Sequence, residues 1–462
     1  MTDASIERSR RTSAKPTGVA FPIGDTASSF LLSLLRDAKE SYPDAFDPIQ
    51  LPSTPRAFKD TYPELILEFE QRRVASPART AIARHLIRAS RCRATLNEQP
   101  IATMDCSAPP LPITCASDRP GAGWIPTVDY DDMVYRGQEL RPLVNDIHAR
   151  GRMNDDTAAT LHRALNRLDS TGALNLRGER FAVLGAAAEL APTRPLLKAG
   201  ASVLWCDVAP PPPGLQGLLH VTEASADLLG QPDRIASTLA DFAAAEGGPI
   251  HLGCFAYAPG QGREWRLALA MNAIASALGE GPLSSIGNFI SPTTPVLLAD
   301  DDVARIEEKS QADPGWRGAF SWARVLREKR TRAELPPVSD SIVAIQGVSY
   351  QAAQWLEKTL ATEALRAESP GLNVSSNVAP ISNTRSMGHA LFQAAFRGAP
   401  SFDVEIFSPS VTRTLSTLLY IEDVLGSSPT APGHFHGGAL TVPYTADSAI
   451  RCSALIGFMR RS

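Results

Sequence analysis

Between Leu174 and Asp207 the chain reads LNLRGERFAVLGAAAELAPTRPLLKAGASVLWCD, and this stretch limits the fold more than any other. An apolar run, Phe181 to Leu184, stops at Gly185; a helix-compatible segment follows to Lys198; Gly200 closes it; a second apolar run, Ser202 to Cys206, delivers Asp207. That order is strand, turn, helix, parallel strand, the opening βαβ unit of a dinucleotide-binding fold.

The chemistry of such a unit names its residues. A glycine where the first strand meets the helix lets backbone approach a pyrophosphate, whose charge is met by free N–H groups at the helix start; Gly185 has that place. A carboxylate ending the second strand accepts hydrogen bonds from the adenosine ribose and repels a 2′-phosphate. Asp207 lies 22 residues after Gly185, close to the usual spacing of about 20, so NAD is favoured over NADP. Two glycines of the usual fingerprint are replaced, since the turn continues Ala186-Ala187-Ala188-Glu189. The carboxylate of Glu189 repels a pyrophosphate unless it points away. The competing interpretation is an ordinary βαβ unit that meets no nucleotide.

Around this unit the chain divides. Residues 1–24 are polar and rich in Ser and Arg, the pattern of a disordered tail. Residues 25–150 form a mainly helical N-terminal region, with helical spacing around Phe30–Leu35, Tyr62–Phe69 and Ile82–Ile87. Its arginines at 72, 73, 79, 84, 88, 91 and 93 suit either an anionic surface site or a solvated helix face. From Gln99 to Thr127 six prolines point to a linker or extended wrap.

Residues 151–462 read as the main domain. Helix from Asp155, strands near 181–184, 202–206, 219–227, 249–258, 284–290 and 372–378, and helices over 231–246, 263–278, 348–367 and 409–425 alternate, with a last strand near Leu440 to Pro443. Residues 296–340 interrupt the rhythm as an insertion, with one helix after Asp300 and a second around Trp316, Phe320 and Trp322. Strands alternating with helices call for an α/β architecture, a Rossmann-like doubly wound parallel sheet with a mainly helical N-terminal extension.

Composition bounds the partners. Of 462 residues, 44% are hydrophobic and 20% charged, with a formal net charge of −4; no global field recruits nucleic acid or anionic membrane. No apolar run approaches the ~20 residues of a membrane span. Six cysteines without paired metal-ligand spacing fit a reducing, cytoplasmic setting.

In this order the chain resembles the short-chain dehydrogenase/reductase family over roughly residues 174–445. Gly178, Gly185, Gly200-Ala201 and Asp207 stand as in that family. Asp227 resembles its acid for the adenine amine, Ala258-Pro259 its fourth-strand Ala-Gly, and Asn272 the asparagine of the following helix. Leu360-Ala361-Thr362-Glu363, Val374, Val378-Ala379-Pro380 and Thr384 resemble the helix, sixth strand and loop that hold the nicotinamide carboxamide. The resemblance implies cofactor contacts at Gly185, Asp207, Asp227, Ala258, Pro380 and Thr384, a small-molecule substrate, and a homodimer or homotetramer paired through the helix beginning near Val348.

The catalytic signature departs from the family's. There a tyrosine passes the proton and a lysine four residues later lowers its pKa. Here the tyrosine's place falls on Gln346 and the lysine's on Tyr350; four residues beyond Tyr350 stands Gln354. Lys358 is eight residues on, about 12 Å along a helix, too far without a bend. Ser291, with Thr293 as rival, resembles the serine that polarises the substrate oxygen. The expected catalytic set is therefore Ser291, Tyr350 and Asn272, with Tyr257 as a second proton donor and no metal. Arg263, Glu264 and Arg266 suit either an acidic substrate or a helix-start ion-pair set. His434 and His436 suit either a metal or a turn with surface imidazoles. Three functions compete: an atypical NAD(P)-dependent oxidoreductase of an alcohol or carbonyl, a non-catalytic dinucleotide-binding scaffold, and a lyase or isomerase.

Overall fold

A computed structural model describes residues 18–312, 325–329, 334–426 and 432–460. Of the expected tail over 1–24, residues 1–17 lie outside the described residues, as does the expected helix at Trp316, Phe320 and Trp322; within 18–24, Val19–Ala20 pairs antiparallel with Thr95–Leu96 and Val19 is buried.

The chain opens with helices α1 (Ala27–Ser41), α2 (Pro55–Ala75) and α3 (Arg79–Arg93). Thr26 and Thr54 cap the first two, each accepting a bond from the third helical N–H. The Pro-rich stretch is no linker: Ile113–Arg119 forms strand β1, bonded antiparallel to a main-sheet strand. Its edge position tolerates flanking prolines, because a sheet edge needs ladder bonds on one side alone. Helices α4 (Leu140–Ala149) and α5 (Asp155–Asn166, capped by Asn154) follow.

The alternating region gives β2 (Arg180–Leu184), α6 (Thr193–Lys198), β3 (Ser202–Cys206), β4 (Gly217–Thr222), α7 (Pro232–Ala245), β5 (Ile250–Cys254), α8 (Arg263–Leu278) and β6 (Leu283–Ile290). Then come α9 (Asp300–Gln311), α10 (residues 348–368), β7 (Asn373–Val378), α11 (Ala390–Gly398), α12 (Pro409–Leu425) and α13 (Ala446–Met459). Sheet order is β7-β6-β5-β2-β3-β4-β1, parallel except for β1. Counted by themselves, the parallel strands run 3-2-1-4-5-6, the doubly wound Rossmann order. Residues 440–443 are not a strand, because Val442 and Tyr444 pack with Phe402 and Cys452 under α13 instead.

Both faces of the sheet are covered, which is why its strands read as continuous apolar runs. Phe181, Val183 and Val203 face Leu161, Leu165 and Leu415 on α5 and α12. Ala182, Leu184 and Leu204 face Leu239, Phe242 and Ile274 on α7 and α8.

The N-terminal helices share a core with the sheet domain. Phe30 stacks on Trp265 of α8 at 4.8 Å and Phe69 meets Trp355 of α10 edge-on at 6.0 Å. Arg73, wholly buried, bonds Glu70 and Glu363, and Arg79 joins it on Glu363. Arg73 is thus neither a surface anion site nor part of a solvated face. Glu357 is a buried carboxylate that accepts from Ser90, Trp265 and Asn272. These contacts bury much of α10 within the chain.

Candidate active site

The carboxyl ends of β5, β6 and β7 open into a cavity of about 390 Å³. It is bounded by the turn after β2, by α10, and by the loop after β7 with α11.

Its polar wall is a hydroxyl network. Ser291, just past the end of β6, lies 2.8 Å from Thr293 through their hydroxyl oxygens, and the Thr293 hydroxyl donates to Gln346 at 2.8 Å. Tyr350 lines the same wall; burial pushes its phenol up from its ordinary pKa, and the nearby Ser291, Thr293 and Gln346 side chains offset part of the rise. Gln354 accepts from the Ser291 N–H at 3.0 Å.

Lys358 lines the same cavity. Its Nζ donates to the Phe289 carbonyl at 2.7 Å, and burial lowers its pKa to about 8. Over Ala352–Leu360 the helix is wound with i→i+5 bonds, the Ala361 N–H reaching the Leu356 carbonyl, a rare winding frequent at functional sites. Tyr350, Gln354 and Lys358 all line the cavity, Lys358 through its bond to the Phe289 carbonyl near the end of β6.

The other expected residues divide. Pro380 and Thr384 line the cavity, as does Tyr257, which stands edge-on to Tyr350 at 6.3 Å. Asn272 does not; its amide donates to the Glu357 backbone and carboxylate, which makes it a tie between α8 and α10. Ala258 sits at the edge of an apolar cluster. The exposed Asp227 bonds the Leu229 N–H of its own loop. Arg263 bonds Pro259 and Gly260 carbonyls and Glu264 accepts from Gly260 and Ser349, the helix-start arrangement. His434 and His436 are buried on Asp302, not surface imidazoles.

The turn after β2 also differs from expectation. Gly185 has φ +82°, and a Cβ there meets the Ala256 backbone at 2.3 Å, so glycine is required by strand packing. Helix α6 starts only at Thr193, after Pro192, because residues 186–191 form turns. The Ala187 N–H donates to Asp207, those of Ala188 and Ala191 to turn carbonyls. Asp207 also accepts from Ala209. Glu189 lines the cavity, where it accepts from the Arg385 N–H at 2.9 Å, while Arg413 donates to its carbonyl.

No protein-family model matches the chain, and no curated protein matches its sequence. Among solved structures, the chain is similar to a short-chain type dehydrogenase/reductase from Mycobacterium marinum, with TM-score 0.38, 14% identity, and 57% of this chain and 96% of that one covered. It is also similar to a short-chain dehydrogenase/reductase, glucose/ribitol dehydrogenase, from Brucella melitensis, with TM-score 0.34, 15% identity, and 58% and 98% covered. The fold assignment rests on the strand order itself. Among the described residues, no helix is long and apolar enough to cross a membrane.

Proposed function

We propose that this protein is a nicotinamide-dependent oxidoreductase acting on an alcohol or carbonyl of a small organic molecule. The observation that carries the reading is the meeting of Ser291, Tyr350 and Lys358 on one cavity at the strand ends. The substrate oxygen accepts from the Ser291 hydroxyl, and Tyr350 passes or receives the proton. Lys358, held on the Phe289 carbonyl, brings a positive charge to the same cavity wall. Phe289, Phe392, Phe396 and Ile450 make the rest of the wall apolar, which selects a substrate with a hydrocarbon body.

A nicotinamide dinucleotide supplies or removes the hydride when bound. The donor set is compatible with it: Asp207 ends the strand beside β2, as a ribose carboxylate requires, and Pro380 and Thr384 border the cavity where a carboxamide would be held. The Arg385 guanidinium lies 3.6 Å from the Glu189 carboxylate and offsets part of its charge toward a diphosphate. NAD is preferred to NADP through Asp207. The six cysteines are unpaired, in keeping with a cytoplasmic setting.

Glu189 favours a second reading, a lyase or isomerase that uses the same hydroxyls for proton transfer without a dinucleotide. Titration of the protein with NADH and NADPH, read by nicotinamide fluorescence, separates the two. Binding tighter than about 1 mM, followed by turnover on a panel of apolar alcohols and ketones, supports the oxidoreductase. No binding of either cofactor eliminates it.

A further inference from the structure

A second cavity, of about 320 Å³, lies where α2, α3 and α10 meet the ends of β6 and β7. It reaches the surface beside Leu297 and Asp156, both exposed lining residues. Its volume suits a small metabolite.

Three polar groups on its wall are left unsatisfied by protein. The first is His434, 5% exposed. Its Nδ1 lies 2.7 Å from Asp302, whose other oxygen is 3.0 Å from Nε2 of His436. The Gly438 N–H donates to Nδ1 of His436, so Nε2 of His436 carries the proton that Asp302 accepts. Burial pushes the Asp302 carboxyl up, yet its bonds to both imidazoles outweigh this and hold it well below the carboxylate range. Asp302 thus engages Nδ1 of His434. Nε2 of His434 has no partner among the described residues.

The second group is Arg366, which donates one bond to the Val374 carbonyl. No carboxylate among the described residues lies within ion-pair distance of it. Arg73 and Arg79, on the same wall, are both committed to Glu363. The third is the Thr362 hydroxyl, one helical turn before Arg366, also without a partner among the described residues.

We propose that this cavity binds a small hydroxy carboxylate, its carboxylate on Arg366 and Thr362 and its hydroxyl bonded to Nε2 of His434. A planar guanidinium fork matches a carboxylate, and a buried imidazole nitrogen without a protein partner requires one from a ligand. One guanidinium with no ion pair among the described residues suits one negative charge better than the two of phosphate. The site is independent of the oxidoreductase reading, since the two cavities share only Ile290 on their walls.

Calorimetric titration of the full chain with 2-hydroxybutyrate, butyrate and inorganic phosphate tests it. The hydroxy acid is expected to bind about tenfold tighter than butyrate, and phosphate weakest. Arg366→Gln should weaken both acids at least about tenfold; His434→Gln should abolish their difference. Circular dichroism checks folding, and Arg366→Lys, which keeps the charge without the fork, gives an intermediate loss if Arg366→Gln does not fold. Absence of binding by folded wild type, preference for phosphate, or binding unchanged in the Arg366 variants overturns the proposal. A loss in Ser291→Ala equal to that in Arg366→Gln assigns the acid to the other cavity and overturns it as well.

Discussion

The two halves of the sheet's carboxyl edge contrast. Over β2 and β3 the sequence keeps landmarks of a nucleotide site, yet the structure commits them to the protein: Gly185 to Ala256, the Ala187 N–H to Asp207, Glu189 to Arg385. Over β5 to β7 the expected Tyr-Lys spacing is broken, yet a Ser291–Thr293–Gln346 chain of hydrogen bonds shares one cavity with Tyr350 and Lys358. A spacing motif records one way of bringing groups together, and a fold with several elements at one edge has others.

The largest effect belongs to the converging half. Tyr350→Phe should lower turnover about a thousandfold with stability nearly unchanged, since a positioned proton carrier contributes ~10²–10⁴-fold; a retained rate removes it from the mechanism. Next, Gly185→Ala should cost roughly 3 kcal/mol in denaturant unfolding, combining left-handed backbone strain with overpacking against Ala256. A variant of wild-type stability that loses only cofactor affinity would return Gly185 to the ligand.

Lys358→Met tests whether that ammonium is held at a cost. Folding lowers its pKa from 10.5 to about 8, so between those values the unfolded chain binds more protons and stability rises with pH. Relative to Lys358→Met, wild type should gain up to roughly 3 kcal/mol between pH 8 and 10.5 and stay level below pH 8. Parallel curves place no depressed lysine there.

Two smaller effects probe the other half. Glu189→Gln should tighten NADH about tenfold by removing a carboxylate from the cavity wall; unchanged affinity keeps the diphosphate away from it. Asp207→Ala should narrow the preference for NADH over NADPH about fivefold, read by the same fluorescence titration, and a constant ratio refutes the ribose assignment.

Much of the fold was legible. Apolar runs such as Phe181–Leu184 and Ser202–Cys206, punctuated by Gly185 and Gly200, are local signals, and β2, β3 and their parallel pairing follow from them. Strand β1 was not legible, because its prolines mark a boundary while its partner Gly217–Thr222 lies about a hundred residues away. Nor was α13, whose apolar face is explained only by α11, where Gly457 and Gly398 let the helix backbones approach. At the site, Ser291 and Tyr350 could be named singly, but their meeting on one cavity depends on where α10 crosses β6.

What the sequence determined by itself was the alternation of strand and helix, and from it a doubly wound parallel sheet and the edge at which chemistry would collect, since those follow from periodicity and turn residues within a few positions of each other. The tertiary structure alone decided which side chains meet: that Lys358 reaches the cavity, that Asn272 serves Glu357, and that Asp302 joins His434 and His436 across more than 130 residues. Such pairings are set by packing of distant segments, and their energies carry no imprint on local sequence.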